Sequence, residues 1–175
     1  MEKLLVGRVW TLGKDVDTDQ IIGGKYLTVI DPNELKKHVF EIALPEFAAQ
    51  ARAGDIVIAD ENFGSGSSRE HAPQALRAIG VAAIVADSFA RIFFRNAINL
   101  GLPAIEARGV RAIFETGDTA RLDLEGGTVT NDRTGASVRF PPLPPHLLDL
   151  LEAGGLVEKV RRELAASPPA PGPRP

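Results

Sequence analysis

Three short apolar runs, at residues 55–59, 82–86 and 102–106, are separated by two stretches of helical pattern. This spacing constrains the fold more than any other feature of the chain. Each run is rich in Ile, Val, Leu and Ala with little polar alternation, as in a strand buried on both faces. A helix is expected over residues 74–79, closed by Gly80. A second is expected from Ser88, as N-cap, to Leu100, with Gly101 as its stop and Pro103 beyond. Strand, helix, strand, helix, strand is a βαβαβ arrangement, which calls for a parallel sheet with right-handed crossovers.

Around this unit, residues 4–10 read as a first strand, followed by the acidic loop Asp15-Val16-Asp17-Thr18-Asp19. Asp31 as N-cap and Pro32 at the first helical position start a short helix reaching about Phe40, and residues 44–51 form another. After residue 110, short alternating runs at 121–124, 128–130 and 137–140, broken by Gly126-Gly127 and Asn131-Asp132-Arg133-Thr134-Gly135, read as a β-hairpin with a longer turn. A last helix is expected over 146–153. With 175 residues the chain reads as one domain over residues 1–165, with residues 166–175 as a proline-rich disordered tail.

Between the first two apolar runs stands Phe63-Gly64-Ser65-Gly66-Ser67-Ser68-Arg69-Glu70-His71-Ala72-Pro73. Glycines admit a ligand close to the backbone, serine hydroxyls donate to an anion, and an arginine fork grips a carboxylate or phosphate. Neither common nucleotide motif is present. Five residues separate Gly7 from Gly13-Lys14, and Asp15 follows where Ser or Thr is needed. The dinucleotide fingerprint begun by Gly64 and Gly66 meets Arg69 in place of its third glycine.

Ser67-Ser68-Arg69-Glu70 also matches a capping box, but Pro73 would then be the sixth helical residue and clash with the carbonyl of Arg69. A helix starting at residues 70–72 leaves Ser67, Ser68 and Arg69 in the loop before its N-terminus, with donors free for an anion. The acidic loop lacks the glycine and downstream glutamate of an EF-hand, so turns with side-chain hydrogen bonds are its expected role. Arg91 and Arg95, four apart on one helix face, are either a second anion contact or solvated surface charges.

Composition removes several function classes. Twenty Lys and Arg against 23 Asp and Glu give a net charge of −3, contrary to a nucleic-acid surface. There is no cysteine, hence no disulfide, thiol nucleophile or thiolate metal site built from this chain, and its three histidines (His38, His71, His146) are far apart in sequence. No stretch reads as a signal peptide or membrane span, so a cytoplasmic location is the default expectation.

The segments Asp17-Thr18-Asp19-Gln20-Ile21-Ile22, Gly24-Lys25-Tyr26-Leu27, residues 62–73 and Ser88-Phe89-Ala90-Arg91-Ile92-Phe93-Phe94-Arg95-Asn96-Ala97-Ile98-Asn99, in this order, resemble the small subunit of the 3-isopropylmalate dehydratase family. That subunit is the detached swivel domain of aconitase-like hydro-lyases. The resemblance is close over residues 7–106. It implies an α/β fold, a swivelling β/β/α three-layer domain with a central, mainly parallel sheet and a C-terminal β-hairpin. It also implies a heteromeric enzyme whose large subunit holds a four-iron four-sulfur cluster, with no metal bound by this chain alone, and a small dicarboxylate substrate.

By the same resemblance Ser67 is the catalytic base, Arg69 pairs with a substrate carboxylate, Ser68 and Gly66 line the substrate, and Asp19 orders the site or a partner histidine. Tyr26, Leu27 and Thr28 are substrate-binding residues, and Thr28 faces the variable arm of the substrate, with Leu27 and Val29 beside it. Members acting on an additional carboxylate carry an arginine at the position of Thr28, which cannot make that bidentate pair. An apolar isopropyl arm is therefore expected, and isomerisation of 2-isopropylmalate to 3-isopropylmalate in leucine biosynthesis. The open alternatives are a homoaconitase small subunit, a methylmalate- or maleate-type hydratase, a stand-alone anion-binding module and a non-catalytic scaffold subunit.

Overall fold

In the computed structural model of the protein, residues 3–166 are described. The proline-rich stretch 167–175 expected as a tail lies outside the described residues. Among the described residues, seven strands form one sheet: β1 (Leu4–Thr11), β2 (Ile56–Ala59), β3 (Ala83–Ala86), β4 (Ala104–Glu106), β5 (Thr119–Asp123), β6 (Thr128–Asn131) and β7 (Ser137–Arg139). Their spatial order is β4-β3-β2-β1-β5-β6-β7. The pairs from β1 through β4 are parallel and those from β1 through β7 antiparallel, so β1 is the seam between two halves.

Of the parallel strands, β2 and β3 are short and buried at every residue, as their unbroken apolar runs require. Alternate residues feed two cores. Trp10, Val57, Ala59, Ile84 and Ala86 face one side, where they meet Leu35, Phe47, Leu76, Phe93, Ile98 and Leu151 from helices and Phe40 from a turn. Val9, Ile56, Ile58, Ala83 and Val85 face the other side, packing with Ala120, Leu122 and Val129 of the antiparallel half and with Val110 and Phe114. Helices cover one face and the curled antiparallel half covers the other, which gives the expected three layers.

The helices are α1 (Thr18–Ile21), α2 (Pro32–Leu35), α3 (Phe47–Gln50), α4 (His71–Ile79), α5 (Arg91–Asn99), α6 (Pro145–Ala153) and α7 (Leu156–Ala166). Several differ from the sequence expectation. The helix begun at Pro32 stops at Leu35, passes through a 3-10 turn at Lys36–His38, and does not reach Phe40. Phe40 takes φ +54, its amide donates to the Ile21 carbonyl at 3.0 Å, and its ring meets Phe47 edge-on.

Helix α4 starts at His71, so Pro73 is its third residue, where the missing N–H is one of the unpaired amides of a first turn. The helix expected from Ser88 begins at Arg91 instead. The expected hairpin gains a strand: β5, β6 and β7 form a meander continuous with β1. Helix α7, beyond the last helix expected at 146–153, has no counterpart in the sequence expectation. No helix among the described residues is long and apolar enough to cross a membrane.

Candidate active site

The carboxyl ends of β1, β2 and β3 carry three loops, and the glycine-serine segment is tied into both of its neighbours. On one side Gly64 N donates to Val16 O at 2.7 Å, Thr18 N donates to Ser65 O at 2.9 Å, and Thr18 Oγ1 donates to Ser67 O at 3.0 Å. On the other side Phe63 N donates to Ser88 O at 3.0 Å and Ala90 N to Phe63 O at 2.9 Å. Ser88 Oγ is occupied as well, accepting from Asn62 N at 2.9 Å. Ser88 therefore ties two loops together in place of capping a helix. Phe89 bridges to Phe63 as in a parallel strand pair, and the helix starts only at Arg91.

Aromatic packing sets the separation of the loop from α5. The Phe63 ring contacts Phe89 and Phe93 edge-on at 5.9 and 5.2 Å. Gly64 has φ +82, and a Cβ there would lie 2.2 Å from Phe93 Cγ. Only glycine meets both conditions. Gly66 is likewise left-handed at φ +88.

The result is a cleft of about 260 Å³. Gly66, Ser67, Ser68 and Arg69 form one side, and Ala90, Arg91, Ile92 and Phe93 from the start of α5 form another. No side chain caps α4, so Ser67 is not an N-cap. The hydroxyls of Ser67 and Ser68 have no hydrogen-bond partner among the described residues, and both serines are exposed to the cleft.

The three carboxylates of the acidic loop go to three different partners. Asp15 accepts from Asn62 Nδ2 at 3.0 Å, and Asp17 caps α1 in a reciprocal box with Gln20. Asp19 pairs with Arg69 and accepts from Gly24 N at 3.0 Å. The bond from Arg69 holds the Asp19 carboxyl below its ordinary range. Arg69 Nη1 also reaches Ile22 O at 3.3 Å, while Nε and Nη2 have no partner among the described residues.

Tyr26, Leu27 and Thr28 do not line this cleft. The Tyr26 ring stacks on His38 at 3.9 Å, and its hydroxyl donates to Glu41 at 2.7 Å. Leu27 and Thr28 are exposed. Gly23, Gly24 and Lys25 line a neighbouring cleft with Asp19 and Glu41, so the Asp19–Arg69 pair joins the two clefts. Of the expected site residues, the structure gathers Ser67, Ser68, Arg69, Gly66 and Asp19, and leaves the Tyr26–Thr28 group to one side.

Thr18 is a tether the sequence reading overlooked. Its only local signal was a place beside Asp17 and Asp19. Among the described residues no three His, Asp or Glu side chains converge as a metal site would need.

Residues 22–108 match the family model described as the aconitase C-terminal domain. The chain is 54% identical over 163 residues to "3-isopropylmalate dehydratase small subunit 1" of Methanopyrus kandleri, covering 93% of this chain and 96% of the relative. It is 53% identical over 157 residues to "Methanogen homoaconitase small subunit" of Methanothermobacter thermautotrophicus, covering 90% and 91%. A crystal structure of 3-isopropylmalate dehydratase from Methanocaldococcus jannaschii superposes with a TM-score of 0.87 at 38% identity, covering 93% of this chain and 96% of that one.

Proposed function

This chain belongs to the 3-isopropylmalate dehydratase small-subunit family, and on that premise we propose that it is the small subunit of a hydro-lyase of leucine biosynthesis. The complex interconverts 2-isopropylmalate and 3-isopropylmalate by dehydration and rehydration, in the cytoplasm, together with an iron–sulfur large subunit. The observation that carries this reading is the pair of unpartnered serine hydroxyls beside Arg69, in a cleft with room for a small organic acid.

Ser67 Oγ takes the C–H proton in the dehydrating direction and returns it in the hydrating one. A serine oxygen is a poor base unless its anion is stabilised. The N-terminus of α4 four residues on and the nearby guanidinium of Arg69 supply that field. Arg69 holds a substrate carboxylate through its free Nε and Nη2, and the bond to Asp19 fixes the orientation of the fork. Ser68 adds a hydrogen bond, and Gly66 lets the substrate approach the backbone. In this reading Tyr26, Leu27 and Thr28 meet the apolar arm of the substrate once the large subunit closes the cleft.

The residues of this chain do not fit an iron–sulfur cluster. The sequence has no cysteine, and the described His, Asp and Glu side chains form no ligand group. In the proposed complex the cluster is the partner's, and it supplies the Lewis-acid chemistry there.

Overall identity to the two named relatives does not separate their substrates, so the substrate is assigned on Thr28. A third carboxylate facing threonine would be left without a bidentate partner. After reconstitution with an iron–sulfur large subunit, turnover of 3-isopropylmalate should exceed that of homoaconitate. The reverse order would remove the isopropylmalate assignment and favour the homoaconitase alternative.

A further inference from the structure

The cleft is lined by two arginines, Arg69 and Arg91, and the proposed mechanism uses only Arg69. Arg91 is the first residue of α5, on the part of the lining contributed by that helix, separate from the Ser67–Arg69 loop. Arg95, one turn further along, is also exposed but does not line the cleft. The structure thus separates two residues that sequence spacing treated as a pair.

Charge accounting distinguishes the two arginines of the cleft. Arg69 is already compensated by Asp19. Arg91 has no ion pair or hydrogen bond among the described residues, so it is the uncompensated cation of the lining. A dicarboxylate brings two negative charges into this space, and the unpaired guanidinium of Arg91 on the lining is available to one of them.

The position of Arg91 is also well fixed. Phe93, two residues on, is 2% exposed, stacks against Phe89 at 6.2 Å and meets Phe63 at 5.2 Å, and Gly64 sits directly against its ring. The start of α5 is therefore packed against the serine loop, which sets where the backbone of Arg91 stands relative to Ser67.

Resting on the hydro-lyase reading, we propose that Arg91 is a second carboxylate-binding residue, contacting the dicarboxylate substrate from the α5 side of the cleft. It supplies charge for substrate capture and no proton transfer. Its removal therefore acts on binding far more than on the chemical step.

The test uses the reconstituted complex with Arg91→Met, which keeps length without charge, and Arg91→Lys, which keeps charge. The probe is 2-isopropylsuccinate, a dicarboxylate without the hydroxyl needed for dehydration, titrated by calorimetry beside steady-state turnover of 3-isopropylmalate. Arg91→Met should weaken probe binding and raise KM by about tenfold or more, with kcat within about threefold, and flatten the ionic-strength dependence of KM. Arg91→Lys should restore most of the affinity.

Unchanged probe affinity in Arg91→Met overturns the proposal. So does failure of Arg91→Lys to recover when both variants have lost association with the large subunit, since Arg91 would then be an interface residue. A wild-type complex that binds the probe but does not interconvert isopropylmalates refutes the hydro-lyase reading separately, and the probe titration still decides the role of Arg91.

Discussion

Ser67 can be isolated from the fold because nothing in the fold depends on its hydroxyl. It caps no helix and has no side-chain hydrogen-bond partner among the described residues. Ser67→Ala should leave the thermal midpoint unchanged and lower kcat of the reconstituted complex by about 10²–10⁴-fold, the range for losing a general base. Activity close to wild type would reduce this chain to a scaffold. Gly64 is the opposite case, a residue with no chemistry on which the geometry depends. Gly64→Ala puts a Cβ 2.2 Å from Phe93 Cγ at φ +82. The left-handed backbone alone costs roughly 1–2 kcal/mol, and the overlap adds to it. A denaturant midpoint equal to wild type would show that the serine loop and α5 are not locked together. That Ser67 is not a cap was legible from Pro73, six residues on, because proline chemistry is local. The Asp19–Arg69 pair was not legible: the resemblance singles out Asp19, but the residues lie 50 apart and nothing in the sequence makes Arg69 its partner.

Elements were located well and bounded less well, and each displaced boundary has a tertiary cause. The start of α5 moved from Ser88 to Arg91 because Ser88 Oγ and its carbonyl serve Asn62 and Phe63 of the neighbouring loop. Local capping preference was outweighed by bonds that need the folded sheet. In the antiparallel half, the alternating runs at 121–124, 128–130 and 137–140 marked strands, but not the polar cluster that pins the meander. Asp118 accepts from Arg133 Nε at 2.6 Å, from Glu115 N at 2.9 Å and from Asn131 Nδ2 at 2.6 Å. The Arg133 bond above all, then the Glu115 amide, holds its carboxyl far below the ordinary carboxylate range, although burial acts in the other direction. A carboxyl depressed in the folded state contributes stability above its unfolded pKa of about 4, and loses that contribution progressively as pH falls below it. Asp118→Asn should therefore lower the thermal midpoint at pH 7, with a gap to wild type that narrows at about pH 3. A gap independent of pH would mean that the cluster acts through shape and not through charge.

At the scale of the whole molecule, helices on one face and a curled meander on the other leave the carboxyl ends of β1, β2 and β3 as the open edge where the serine loop lies. Half of this arrangement was determined by the sequence alone. The unbroken apolar runs require strands buried on both faces, the intervening helical patterns require parallel crossovers, and the glycine-serine segment before Pro73 requires a pre-helical loop with spare donors. These follow from periodicity and backbone chemistry within a few residues. Only the tertiary structure decided which aspartate pairs with Arg69, that Arg91 and not Arg95 reaches the cleft, and that Tyr26 is turned onto His38 and Glu41. The physical reason is the same each time. Several partners were chemically equivalent in sequence, and the choice among them was made by hydrogen bonds and ring packing between loops that meet only after the sheet has formed.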